Sequence, residues 1–92
     1  MYIILLYDIP KERNGEKVAQ KIFKTSKKYL HHIQNSVFEG DITPAQKQKL
    51  KNELSLYIRK DLDSVIIFES RTEEWMKKEY LGKTDNKTSN FL

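Results

Sequence analysis

The first feature that could support chemistry is a carboxylate at the end of an apolar strand. Residues 2–7 are apolar almost throughout, and Asp8 follows them directly before the turn Ile9-Pro10. Hard divalent cations such as Mg²⁺ or Mn²⁺ prefer ionised oxygen ligands, and Mg²⁺ uses only one or two carboxylates while keeping several waters. Such a metal could activate water or stabilise a leaving oxygen in phosphodiester cleavage. Asp8 is therefore a candidate catalytic residue and metal ligand.

The same carboxylate also has a purely structural interpretation. Asp is a common turn residue, so Asp8 could cap the Ile9-Pro10 turn instead of binding a cation. One carboxylate is in any case a weak metal site. A twofold axis near the end of this strand would double it, because an isologous dimer repeats every residue at its axis. The catalytic hypothesis therefore predicts a homodimer.

A run of basic side chains follows the candidate carboxylate. Residues 11–28 contain seven basic and two acidic side chains. Four of these lysines fall within about 60° of one another on a helix with roughly 100° per residue. They are Lys17, Lys21, Lys24 and Lys28. Together with Arg13 and Lys11 in the preceding loop, they could follow the phosphates of a nucleic acid. A solvated helix face is an equally good interpretation, and both stay open.

Two adjacent histidines are further candidates. Neighbouring residues on a strand point to opposite faces, so His31 and His32 are not expected to share a metal. His32 near a phosphate could donate a hydrogen bond when protonated, and it is kept as a candidate nucleic-acid-binding residue. The alternative is a surface position without a function.

Composition limits the class of protein. The 92 residues suffice for one domain. The net charge of +4 favours a polyanionic partner, and the lack of cysteine excludes disulfides and thiolate metal sites. No run approaches the roughly 20 apolar residues of a membrane span, and the short apolar start lacks the basic flank of a signal peptide. We expect a cytoplasmic protein without membrane contact.

The elements that must position these residues follow from the hydrophobic pattern. The first strand covers residues 2–8 and is expected to be buried on both faces. A helix is predicted over about 15–29, and the strand-like stretch 32–38 is predicted to bend near Asn35-Ser36 into two short strands. Thr43 and Gln46 form a capping box, with Pro44 at the first helical position, and they begin a second helix that is predicted to run to about residue 60. Residues 64–69 are predicted to form another buried strand.

This order predicts an α+β fold of the ferredoxin-like βαββαβ type, with two helices on one face of an antiparallel sheet. The core would occupy residues 1–70. In the tail, residues 71–92, a short helix is predicted at 72–75 and an edge strand at 79–81. Four tail residues are too apolar for a free tail, and some of them are expected to dock on a second protomer. They are Trp75, Tyr80, Phe91 and Leu92.

Several short motifs together resemble a known family. Residues 7–9 end the first strand, Gln34 and residues 36–40 follow, and residues 63–65 precede the last core strand. In this order and spacing they resemble the small CRISPR-associated adaptation proteins, the second of the Cas proteins. The ending, residues 89–92, also resembles that family.

The resemblance implies a ferredoxin-like homodimer whose C-terminal strand adds to the partner's sheet. It implies a role in spacer acquisition during antiviral defence, with Asp8 of both protomers as the Mg²⁺ site of an endonuclease on single-stranded RNA or duplex DNA. Arg13 and Phe38 match further family positions. His31 and His32 depart from the family pattern, because members often carry arginines at these positions. Histidine cannot make the bidentate phosphate contact of a guanidinium.

Two other functions stay open at the level of sequence. The protein could be a non-catalytic scaffold that bridges dimers of the CRISPR integrase subunit and holds the spacer DNA. It could also be a toxin-like ribonuclease of the virulence-associated protein D type, which shares the fold.

Overall fold

A computed structural model describes residues 1–83 of the chain. The elements along the chain are β1 (Tyr2–Asp8), α1 (Gly15–Tyr29), β2 (His31–Gln34), β3 (Val37–Asp41), α2 (Pro44–Ser55) and β4 (Ser64–Ser70), followed by a short 3₁₀ helix, Glu73–Trp75. The strands form one sheet in the order β2-β3-β1-β4, with every neighbouring pair antiparallel. This is the predicted α+β, ferredoxin-like arrangement.

The helices cover one face of the sheet. Because side chains alternate along a strand, Ile3 and Leu5 of β1 point towards the helices. They form the core with Phe38 of β3 and with residues of both helices, among them Ile22 and Leu50.

The other face of the sheet, called here the open face, has no helix on it. It carries Ile4 and Leu6 of β1, and the register places Phe68 and Ile66 of β4 opposite them. The prediction that β4 is buried was wrong: β4 is an edge strand, and Ile66 and Phe68 are 50% and 53% exposed in the single chain. An apolar run predicts a strand suited to burial, but it does not tell what covers each face.

The second helix begins as predicted but ends earlier. The Thr43 hydroxyl accepts a hydrogen bond from the Gln46 N–H, and the Gln46 side chain accepts one from the Thr43 N–H. The helix ends at Ser55 rather than near residue 60. Beyond it, the Arg59 N–H donates to the Asp63 carboxylate at 2.7 Å, and this side-chain bond belongs to a turn and not to a helix.

The tail is only partly as predicted. A short helix is present at Glu73–Trp75, but residues 79–81 do not form a strand within the single chain. Instead, residues 78–80 line a cavity together with Ile4 and Val37, so they lie against the β3 side of the open face. Phe91 and Leu92, expected to dock on a partner, lie outside the described residues. No helix in residues 1–83 has the length and apolar character that a membrane span requires.

Candidate metal and nucleic-acid site

The candidate metal ligand lies at the exposed end of the open face. Asp8 is the last residue of β1, pairs in register with Ser64 of β4, and is exposed. Strand alternation puts its side chain on the same face as Ile4 and Leu6. Asp8 is thus an exposed carboxylate on a strand, beside an uncovered apolar surface.

One chain alone does not form a metal cage. Within residues 1–83, no group of three or more His, Cys, Asp or Glu side chains could hold a metal ion. Asp8 therefore belongs to no such group in this part of the chain. Its hard oxygens fit Mg²⁺ or Mn²⁺, provided that waters and a second carboxylate complete the coordination shell.

The loop that follows Asp8 has an unusual backbone. Arg13 and Asn14 have φ values of 49° and 64°, in the left-handed region that side chains disfavour. Helix α1 begins directly after them at Gly15, where a Cβ would lie 1.8 Å from the Pro10 carbonyl oxygen. Only glycine fits this close contact between loop and helix.

Arg59 holds that loop, and the sequence analysis did not single it out. Its guanidinium donates to the carbonyl oxygens of Pro10 and Arg13, each at 2.8 Å, and to that of Glu12. It also donates to the carboxylate of Asp63, at 3.0 Å from Nε and at 2.8 Å from Nη2. The hydrogen bond from Arg59 lowers the pKa of Asp63. The i, i+4 spacing of Arg59 and Asp63 was the only sequence signal.

The candidate phosphate ligand Arg13 already takes part in an ion pair. Its guanidinium donates to the Asp61 carboxylate at 2.5 Å, and both side chains are exposed. The hydrogen bond from Arg13 lowers the pKa of Asp61. An exposed pair of this kind is weak in water, so a phosphate could replace Asp61.

The candidate lysines of α1 lie on the helix side of the sheet, away from the open face. Lys17, Lys21 and Lys24 are all exposed, as a phosphate-binding face requires. The Lys21 ammonium lies 6.0 Å from the centre of the Tyr57 ring. Lys28, the fourth of the group, is bound to Glu53 at 2.6 Å.

The structure puts the two histidines on opposite faces, as the strand alternation predicted. His32 pairs in register with Phe38, and its ring lies 4.9 Å from that of Phe23 and 5.0 Å from that of Phe38. Its Nε2 lies 2.8 Å from the carbonyl oxygen of Asn35. A phosphate contact by His32 would have to come from the edge of this aromatic cluster.

A buried ion pair fixes the tail, and it too went unrecognised in the sequence. Glu39 of β3 is fully buried on the open face and binds the Tyr2 hydroxyl and the Lys78 ammonium. Burial is the largest single influence on the pKa of Lys78 and lowers it, but the hydrogen bond to Glu39, the charge of Glu39 and smaller contributions from Tyr80 and Glu73 together outweigh burial, and the pKa is raised. Lys78 therefore stays charged and holds the tail against the sheet.

Comparison with known proteins agrees with this geometry. The sequence model of the family described as CRISPR associated protein Cas2 matches residues 1–78. The chain belongs to the Cas2 family. The resemblance seen in the sequence is thus confirmed, and it selects a CRISPR-associated protein over the toxin-like ribonuclease.

Individual Cas2 proteins are similar over nearly their whole length. The "CRISPR-associated endoribonuclease Cas2" of Fusobacterium nucleatum is 55% identical over 92 residues, covering 100% of this chain and 87% of the relative. A relative of the same description from Moorella thermoacetica is 46% identical over 91 residues, covering 98% of this chain and 100% of the relative. The crystal structure of Streptococcus pyogenes Cas2 at pH 6.5 matches with a TM-score of 0.79 at 30% identity, covering 89% of this chain and 100% of that one.

Proposed function

We propose that this Cas2 protein is a homodimeric, metal-dependent endonuclease that acts in CRISPR spacer acquisition. The observation that carries the proposal is the position of Asp8, exposed on a rigid strand at the end of an uncovered apolar face. The relatives' description as endoribonucleases supports phosphodiester cleavage, with single-stranded RNA as the first substrate to test and duplex DNA as the second.

The open face supplies the dimer contact. Ile66 and Phe68 are half exposed beside Leu6, while the tail covers part of the β3 side. Apolar side chains grouped on one face of a small domain mark an interaction surface. A second copy packed there about a twofold axis near Asp8 would bring two carboxylates together. The tail, part of which lies on this face, would contact the same partner.

The chain's own residues then divide the work of cleavage. The two Asp8 carboxylates would hold a divalent ion, Mg²⁺ or Mn²⁺. Such an ion would supply activation of water and positive charge beside the scissile phosphate. Arg13, released from Asp61, positions a phosphate next to the break. Lys17, Lys21 and Lys24, with His32 at the edge of the aromatic cluster, would contact the strand further away.

A second candidate function is supported by a different observation. The three exposed lysines of α1 lie on the other side of the sheet from Asp8, where they could hold DNA without cleavage. In that role the dimer is a cytoplasmic scaffold that bridges dimers of the CRISPR integrase subunit, and Asp8 is only structural.

The deciding experiment measures cleavage of labelled single-stranded RNA and duplex DNA with Mg²⁺ or EDTA. Wild type is compared with an identically purified Asp8→Asn protein. Asp41→Asn serves as a control, because Asp41 is an exposed carboxylate at the end of β3, next to the start of β1 and far from Asp8. Cleavage that requires both Mg²⁺ and Asp8 supports the nuclease. Cleavage that survives Asp8→Asn, or none at all, favours the scaffold.

A further inference from the structure

The Arg59 guanidinium uses its whole hydrogen-bonding capacity inside the protein. Arginine has five side-chain N–H donors, and five contacts are made, to three loop carbonyls and to Asp63. The Arg59 side chain is 16% exposed and that of Asp63 is fully buried. Arg59 is therefore no phosphate ligand, in contrast to the exposed Arg13.

These contacts tie together the two backbone segments that flank Asp8. On one side, the bond to the Pro10 carbonyl holds the chain two residues after Asp8. On the other side, Asp63 directly precedes Ser64, which is the register partner of Asp8. One side chain thus fixes both the exit from β1 and the entry into β4.

The loop that Arg59 holds would not keep its shape unaided. Two consecutive residues with side chains, Arg13 and Asn14, have positive φ values, and such conformations persist only where surrounding contacts enforce them. The carbonyl of Arg13 is itself one of the acceptors of Arg59. Loss of the guanidinium would free the loop to relax, and Arg13 would move with it.

We propose that Arg59 is the positioning residue of the Asp8 site. It acts through the loop 9–14, holding Asp8 and Arg13 in a fixed relation, and touches neither metal nor substrate. The inference rests on the proposed function for its catalytic consequence, but the positioning itself can be measured without catalysis.

The test uses the full chain with Arg59→Lys, which keeps the charge but not the planar fork. The matched control is Arg71→Lys, since the Arg71 guanidinium lies over the Trp75 ring, at the end of β4 away from Asp8. Amide exchange is followed at Gly15, Lys17 and Val18, whose N–H groups donate to the carbonyls of Lys11 and Asn14. The amides of Leu30 and Ile42 report on distant structure.

We expect exchange at the three amides of the first turn of α1, which bond to carbonyls of the loop, to rise at least about tenfold in Arg59→Lys, with little change at Leu30 and Ile42. The kcat of cleavage should fall at least about tenfold while KM changes less than about threefold, because the substitution disturbs the alignment of Asp8 and Arg13. Equal acceleration at all amides, or unchanged exchange at these three, would overturn the proposal. An unchanged kcat in an active enzyme would overturn it as well.

Failure of the nuclease proposal can be told apart from failure of this one. If the wild-type protein cleaves nothing, duplex DNA affinity replaces kcat as the readout. Arg59→Lys should then weaken binding in the wild-type background but not in the Arg13→Ala background, since Arg59 acts through Arg13. Equal reductions in affinity in both backgrounds, or none in the first, would reject Arg59 as a positioning residue.

Discussion

Asp8 and Lys24 lie on opposite sides of the sheet. Lys24 lines a cavity on the helix side together with Tyr7, whose side chain points away from the open face that carries Asp8. A nucleic acid bound to the α1 lysines reaches the Asp8 carboxylate of the same chain only if it bends around the sheet at Arg13. Binding and cleavage should therefore respond to different substitutions.

The first prediction concerns the lysines of α1. Replacing Lys17, Lys21 and Lys24 by Ala should reduce the salt dependence of DNA binding, with the log–log slope falling by about 0.9 for every phosphate that the protein no longer neutralises. The measurement is affinity for duplex DNA over a series of salt concentrations. Lys49→Ala with Lys51→Ala is the control, because these exposed lysines belong to α2. A slope equal to that of wild type would make the α1 lysines a solvated surface only.

The second prediction concerns the ion pair between Arg13 and Asp61. Asp61→Asn should strengthen nucleic-acid binding roughly threefold at low salt, because an exposed ion pair competes only weakly with phosphate and its loss frees the guanidinium. Affinity is measured by titration for Asp61→Asn with and without Arg13→Ala. If Asp61→Asn gains as much in the Arg13→Ala background, the effect is one of net charge and Arg13 is not the phosphate ligand.

The third prediction concerns the open face. Phe68→Asp should convert the proposed dimer to a monomer, because a charge would be buried without a partner in the interface. Sedimentation velocity gives the oligomeric state, and circular dichroism shows that the exposed site leaves the fold intact. Leu56→Asp is the control, since Leu56 is 77% exposed but lies after α2, away from this face. Dimers that persist in Phe68→Asp would place the interface elsewhere.

The bounds of some elements could be predicted from the sequence more accurately than those of others, for physical reasons. Residues 2–8 and 15–29 were predicted to within a residue because hydrophobic period and turn signals agree there. The end of α2 was placed too late because Tyr57 and Ile58 continue the apolar pattern, while the Asp63 side chain bonds the Arg59 N–H in a turn.

At the candidate site, the type of a residue could be used for prediction, but its contact partners could not be read from the sequence. Asp8 stood out as a carboxylate after an apolar strand, and the structure puts it on an exposed strand end. Arg59 and Glu39 could not be found this way, because their importance depends on acceptors and donors 37 to 49 positions away in the chain. Such contacts exist only once the sheet has formed.

The fourth prediction concerns the buried pair of Glu39 and Lys78. Lys78→Met should destabilise the fold by about 3 kcal/mol, because it leaves the Glu39 carboxylate buried without its counter-charge. Adding Glu39→Gln should recover a large part of that loss. Chemical denaturation of the two variants and the double variant measures both effects. Equal destabilisation with and without Glu39→Gln would show that the Lys78 ammonium acts through its contacts with Tyr2 and Glu73, and not through the charge of Glu39.

The last prediction concerns the pH dependence that Asp63 confers. The hydrogen bond from Arg59 lowers the pKa of Asp63 in the folded state, whereas the unfolded chain has the ordinary value of about 3.9. A lowered pKa stabilises the fold fully above the unfolded value, and this contribution is lost as pH falls through the folded value. The free energy of unfolding of wild type should therefore exceed that of Asp63→Asn by a constant amount between about pH 5 and 7. Below about pH 4 the difference should shrink.

The matched control for this prediction is Asp61→Asn. Arg13 also lowers the pKa of Asp61, but both of those side chains are exposed, so solvent screens the pair and the difference from wild type should be small throughout. Denaturant unfolding from pH 7 to pH 2 measures all three proteins. A difference between wild type and Asp63→Asn that stays constant below pH 4 would mean that the shape of the Asp63 side chain, and not its charge, holds Arg59 in place.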